Sequence, residues 1–307
     1  MSDASNGKES ECVVEEETAG HRGDCPLCDK VDMALKESHI IPRFVYEWVK
    51  NSSATPYLRS SDNINERQQD GQKQYLLCNC CETRLSRLEG ELSMHLFKKL
   101  ANYQNQKTGT RISENIRVAV LSIFWRALYT TRNRNAEWTD EDKRAIDQFL
   151  SAAKKDLISE RCGFQIYLTP MFGKPPYYGF PLNYTYILER ASGNQDIRFF
   201  DEPHRFFAVF QLPFMYFHIF GGNWPEEERS APLLLVNGDI DFRNSVSIPD
   251  VLRAYIDTTH ERFEATKASM TEENRARIAQ DVAKNNNVTG AEKSAERSGW
   301  RFNKTAT

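Results

Sequence analysis

Two cysteine pairs stand apart in a chain of 307 residues: Cys25-Pro-Leu-Cys28 and, fifty residues on, Cys78-Asn-Cys80-Cys81. Each pair presents sulfurs from one tight turn, and two such turns are the usual source of a four-thiolate tetrahedral site for Zn²⁺. The spacing assigns Cys25, Cys28, Cys78 and Cys81 to a structural zinc and turns Cys80 elsewhere. Cys12 then reads as a tail thiol and Cys162 as a core thiol. Between the pairs lies Ser38-His39-Ile40-Ile41-Pro42-Arg43, which sets the chain's most versatile acid–base group at the end of an apolar run.

These residues need elements to hold them. Ala34 to Ile41 reads as a short strand stopped by Pro42, which cannot continue a ladder. Phe44 to Val49 reads as one or two helical turns. Residues 51–73 carry Pro56, Asn63, Asn65 and Asp70-Gly71 and read as a long loop, and Gln74 to Leu77 leads as a strand into the second pair. After Cys81 the apolar positions Leu85, Leu88, Leu92 and Leu96 recur at helical spacing, with Glu82 and Glu89 together on the opposite face. The order is strand, loop, strand, helix, pinned at its base by metal.

This layout resembles the HNH endonucleases, a branch of the His-Me finger nucleases with a zinc knuckle. The resemblance is carried by Cys25-Pro-Leu-Cys28, Ser38-His39-Ile40-Ile41-Pro42 and Leu77-Cys78-Asn-Cys80-Cys81-Glu82, and covers about residues 25–96. Within that family it is similar to a divergent bacterial group with Ser-His-Ile-Ile-Pro and a Cys-Glu ending. It implies a zinc-bound ββα module in which His39 is the general base. Glu82 holds a catalytic Mg²⁺ or Mn²⁺, and Asp70 serves as a second ligand. Arg43 clamps a phosphate, with Arg67 and Lys73 as further substrate cations. The implied activity is hydrolysis of nucleic-acid phosphodiesters, DNA ahead of RNA, and at the family level a role in bacterial defence. The chain departs from the family at three letters: Ser38 replaces an Asp, Lys73 falls where an Asn is expected with Gln72 and Gln74 beside it, and Glu82 replaces a His. These departures keep open a second reading, a non-catalytic zinc module that binds nucleic acid or protein.

Composition sets outer limits. Hydrophobic residues make up 40% of the chain and aromatics 11%, enough for a sizeable core. The net charge of −3 and pI near 6.1 lack the footprint of a bulk nucleic-acid binder. Seven cysteines and a polar, acidic first twenty residues point to a reducing, cytoplasmic setting. The longest apolar run, Phe206 to Phe220, is too short to span a bilayer and is broken by Gln211 and Pro213.

The expected class is α+β, with a disordered acidic tail at 1–20, the zinc module at 21–105, a helical and antiparallel β domain at 106–270, and a disordered polar tail at 271–307. Within the β domain, helices are expected over Ile112–Tyr129, from a Thr139/Asp142 capping box to about Ser159, and from Asp250 to about Met270. Strands are expected at Phe164–Leu168, Tyr184–Leu188, Arg205–Phe210, Phe214–Phe220 and Pro232–Val236. The dense Phe and Tyr positions of the last runs read first as core, with base stacking or a protein partner as alternatives, and His218 among them as a core histidine.

Overall fold

The computed structural model describes residues 21–300 apart from 136, 201–204, 223, 226–228, 230–232 and 286–287. The expected acidic tail, Cys12 and the last seven residues lie outside the described residues. The chain is a mixed α+β fold with antiparallel sheets.

Three strands open it. β1 (Arg22–Gly23), β2 (Met33–His39) and β3 (Lys73–Cys78) form one antiparallel sheet in that order. β2 pairs with β3 so that His39 faces Lys73 and Leu35 faces Cys78, with a bulge between Lys36 and Glu37. Between them α1 (Arg43–Asn51) begins directly after Pro42, whose fixed φ suits a helix entrance. α2 (Asn79–Leu92) follows β3 without a loop and buries Cys81, Leu85, Leu88 and Leu92 on one stripe, the period anticipated. Its last turn widens into a π-helix over Ser93–Phe97 before the short α3 (Lys98–Leu100).

The second half is built on α4 (Glu114–Arg134). Ser113 caps it by accepting from the Ile116 amide, and β4 (Gly109–Ile112) takes the start of the run expected to be helical. α4 is buried from Val118 to Leu128 because it packs against α2 and α5 (Asp140–Ser159) and reaches the large sheet, where Phe124 meets Phe210 edge-on at 4.7 Å. α5 carries the anticipated Thr139/Asp142 capping box.

That sheet comprises β5 (Tyr167–Pro170), β6 (Gly193–Phe200), β7 (Arg205–Leu212), β8 (Met215–Gly221) and β9 (Leu233–Leu234), in the order β6-β7-β8-β5-β9. The long apolar run is thus a hairpin turning at Pro213 and Phe214. A small second sheet pairs β10 (Gly238–Asp241) with β4.

Three expectations change. Tyr184–Leu188 is not a strand but the entrance to α6 (Thr185–Arg190). Its β-branched and aromatic content loses to helical spacing, which buries Ile187 and Leu188 while letting Glu189 and Arg190 reach buried partners. Residues 271–300 are not disordered: after α7 (Asp250–Ala268) come α8 (Glu272–Lys284) and α9 (Gly290–Arg297), each capped by a threonine. Their burial is polar, so hydropathy missed it. α9 brings Ser294 and Arg297 onto the fully buried Glu189, which also accepts from Tyr177. Finally, one continuous apolar cluster runs from Cys25 to Ile256, so the regions expected as two domains share a core.

His218 lies at the centre of the large sheet, stacked on Tyr167 at 5.3 Å and beside Phe207 and Phe220, each at 5.5 Å. Neither ring nitrogen has a hydrogen-bond partner among the described residues, and burial holds its pKa down at about 3. The unfolded chain therefore takes up a proton below pH 6.5 that the folded chain refuses until about pH 3, so stability falls as pH falls through that window. At pH 5 the expected loss is about 2 kcal/mol relative to pH 7.5. His218→Phe should remove this slope and keep the neutral-pH stability. Urea unfolding at the two pH values measures it, and equal slopes for both proteins would refute the assignment.

Candidate metal centre and histidine site

The cysteine cluster is assembled by two turns that meet. In the first, the Asp29 amide donates to the Cys25 carbonyl and the Cys25 amide to the Lys30 carbonyl, both at 2.9 Å, with Asp29 in the left-handed region (φ 59°). In the second, the junction of β3 with α2 places Cys78 at the helix cap and Cys81 in the first turn. The Cys78 amide donates to the Cys25 sulfur at 3.4 Å, stitching the turns together. One sulfur from each of Cys25, Cys28, Cys78 and Cys81 lies within 4.8 Å of the others, and Cys28 and Cys78 are 3.7 Å apart. A tetrahedron with Zn–S bonds of ~2.3 Å has edges of ~3.8 Å, so these donors fit zinc. The cluster is buried except for Cys28. Without a cation its protons are shared unevenly. The contact between Cys25 and Cys81 draws Cys25 down, whereas Cys81, also buried, is pushed up. A divalent cation removes that conflict by stabilising all four thiolates.

His39 ends β2, fourteen residues past Cys25. Its Nε2 lies 2.9 Å from Asp70 Oδ1, and the other Asp70 oxygen accepts from Lys73 Nζ, also at 2.9 Å. Lys73 in turn reaches Glu37 at 3.3 Å. Partial burial pushes the Asp70 carboxyl up. Hydrogen bonds from Lys73, His39 and the Gly71 amide outweigh it and hold the group well below the usual carboxylate range. An ionised carboxylate only accepts, so the bond to Asp70 places a proton on His39 Nε2. Nδ1 has no hydrogen-bond partner among the described residues, and the side chain is 16% exposed.

The loop reaches His39 because it crosses α1 closely. A Cβ on Gly71 would come within 1.9 Å of the Tyr46 ring, the Tyr46 hydroxyl meets the Gln72 backbone, and the Ile40 amide donates to the Gln72 carbonyl at 3.1 Å. Only glycine passes there.

Glu82, in the first turn of α2, accepts from the buried Ser38 hydroxyl at 2.7 Å. Ser38 and His39 are consecutive on a strand and leave it on opposite sides. Among the described residues, then, no hydrogen bond joins the Glu82–Ser38 pair to the His39–Asp70–Lys73 group. Close to both is a third pair, whose cation the sequence reading did not single out. Arg126 of α4, 1% exposed, donates to the His39 carbonyl at 2.8 Å and pairs with Glu89. Burial pushes the Glu89 carboxyl up and Arg126 opposes it, with Glu82 and His39 both close enough to contribute.

The remaining candidates disperse. Arg43 heads α1 with a largely exposed side chain, paired with Glu47 at 2.9 Å. Arg67 is exposed on the loop with its guanidinium 4.1 Å from the Tyr57 ring centre. Of the three cations expected to meet substrate, Lys73 alone is bonded into the histidine site. Asp70 faces His39 and Lys73, an environment suited to orienting a base rather than completing a cation's shell. The signal for Arg126 was present: it is the one charged residue within the apolar run 118–128 of α4, and a guanidinium must be paired once buried. No helix among the described residues is long and apolar enough to cross a membrane. Comparison of the chain with protein-family models, with curated proteins and with solved structures finds no match.

Proposed function

We propose that the chain is a metal-dependent endonuclease of HNH type, in which the metal-pinned β2–β3–α2 unit carries a general base at His39. The observation that carries this reading is the His39–Asp70 hydrogen bond at 2.9 Å, which fixes the tautomer and leaves Nδ1 available to a water. His39 Nδ1 takes a proton from that water, the water's oxygen bonds to phosphorus, and the bond from phosphorus to the departing sugar oxygen breaks, its electron pair leaving on that oxygen, which takes up a proton from solvent. Lys73 holds Asp70, and Asp70 holds the ring. Glu82 has one carboxylate oxygen engaged by Ser38, and its other oxygen is a hard donor of the kind Mg²⁺ or Mn²⁺ accepts together with waters and substrate phosphate. Such an ion, when bound, neutralises charge developing on the phosphate. Arg43 and Arg67 extend the cationic surface along the nucleic acid, DNA in preference to RNA, and the assignment to bacterial defence follows from the family alone.

The test is cleavage of plasmid DNA and single-stranded RNA by purified protein with Mg²⁺ or Mn²⁺. His39→Ala should lower the rate by at least about 10²-fold, Glu82→Ala should abolish the cleavage stimulated by added metal, and Asp70→Asn should cost about tenfold, all with zinc content unchanged. Wild-type protein that cleaves neither substrate would refute the reading. A second reading, a zinc module that binds without cleaving, draws on the Ser38–Glu82 contact, since a satisfied carboxylate at a helix start is also a stabilising structural feature. Salt-sensitive DNA binding without cleavage would establish it.

A further inference from the structure

The loop that delivers Asp70 to His39, residues 52–72, has little regular structure of its own beyond one bridge, in which Leu58 and Gln68 exchange backbone hydrogen bonds at 2.8 and 3.0 Å. Gln68 is two residues from Asp70, so whatever holds the Leu58 side of the loop holds Asp70. The holding residues come from the far end of the chain. The Tyr57 hydroxyl donates to Asp281 at 2.8 Å, Arg59 to the Asn274 side chain at 3.3 Å, and the Thr266 hydroxyl to the Ser61 carbonyl at 3.1 Å. The Ala291 amide of α9 donates to the Ser52 carbonyl at 2.9 Å.

Asn65 is the hub. Its amide nitrogen donates to the Ser269 carbonyl at the end of α7, and its oxygen accepts from the Thr271 amide at 2.9 Å and from Asn274 at 3.3 Å. The turn from α7 into α8 is therefore partly closed by a side chain of the loop, and the loop is fixed by that turn. Asn274 is buried although its helix is polar, because it serves this contact.

We propose that residues 266–281 form a strap that fixes loop 52–72 and thereby holds Asp70 on His39, which makes the α7–α8 junction a positioning element for the histidine site. A partner that bound α8 and drew it away would loosen the base without touching it. The inference rests on the nuclease reading for its catalytic consequence only; the geometry it predicts is measurable without substrate.

The experiment uses full-length, zinc-loaded protein and the Asn65→Ala/Asn274→Ala variant, with Tyr57→Phe as a milder change that opens no cavity. Hydrogen–deuterium exchange of peptides within 54–72 should quicken about tenfold in the double variant and by a smaller factor in Tyr57→Phe, while β3 and α2 exchange as before. In ¹⁵N-labelled protein the His39 imidazole resonances should move toward those of the Asp70→Asn variant. Unchanged loop exchange overturns the strap. Faster loop exchange with His39 resonances unmoved overturns its coupling to the site. If exchange and resonances respond while the wild-type chain cleaves no substrate, the strap stands and the nuclease reading falls alone.

Discussion

Stripping the cation from the four-cysteine cluster, or replacing Cys78 or Cys81 by serine, is expected to lower the melting temperature by more than about 10 °C and to release one equivalent of zinc. The physical reason lies in what those sulfurs join. Cys25 and Cys28 fix the turn that leads into β2, while Cys78 and Cys81 are the junction of β3 with α2, so a cation held by the four would tie both ends of the histidine-bearing unit to one point. Structural zinc in small modules supplies on the order of 10 kcal/mol of apparent binding energy, comparable with the whole stability of a domain. The loss here is smaller than that, because Leu76, Leu77, Leu85 and Leu88 remain packed in the shared core. A deficit of about 7 kcal/mol corresponds to the shift stated for a chain of this size. Cys162→Ser is the control: that thiol is buried near the Phe164 carbonyl and away from the cluster, so zinc content should not change. Metal analysis beside calorimetry decides the matter. If the Cys78 and Cys81 variants keep both zinc and melting temperature, the four-thiolate site is refuted.

The cysteine site was legible because metal ligation needs only residue type and spacing, and both are local. The same holds for α2 and α5, whose periodicity and capping residues act within a few positions. What escaped the sequence was non-local and polar. Asp70 could be seen as a loop acid, but its bond to His39 depends on Gly71 crossing Tyr46, a packing event between segments 25 residues apart. Ser38 could be seen as a departure from a motif, but not as the partner of Glu82, 44 residues away. The C-terminal helices were invisible for a related reason. Hydropathy reports apolar burial, whereas Asn274, Ser294 and Glu292 are buried through hydrogen bonds, with Glu292 reaching back to cap its own helix at Thr289. Tyr184 to Leu188 shows the opposite failure, where a real β-propensity was overruled by a helical turn that buries Ile187 and Leu188 together with Glu189 and Arg190.

Arg126→Leu is the second change expected to have a large effect, a loss of about 3–5 kcal/mol, because it leaves a nearly buried carboxylate and a strand carbonyl without their donor. In the native chain the guanidinium spends its bonds on Glu89, the His39 carbonyl and, at 3.3 Å, the Ser122 carbonyl of its own helix. Leucine fits the space and supplies none of them. The sign of the pH dependence identifies the culprit. Burial already raises the Glu89 carboxyl above its ordinary value with Arg126 opposing, so removing Arg126 raises it further. A carboxyl whose folded value exceeds its unfolded value binds its proton more tightly when folded, so stability falls as pH rises from the unfolded value through the folded one. The Arg126→Leu deficit should therefore be larger at pH 8 than at pH 5. Arg126→Leu/Glu89→Leu should recover most of the loss and abolish that pH difference, leaving the unmatched His39 carbonyl as a residue of about 1–3 kcal/mol. Denaturant unfolding of the three proteins at both pH values tests this. A single-variant deficit that does not change with pH would mean that Glu89 is not the group stranded by the substitution. Because Arg126 reaches the backbone of His39 itself, the same pair that stabilises α4 against α2 also sets where β2 ends, and with it the position from which His39 meets Asp70.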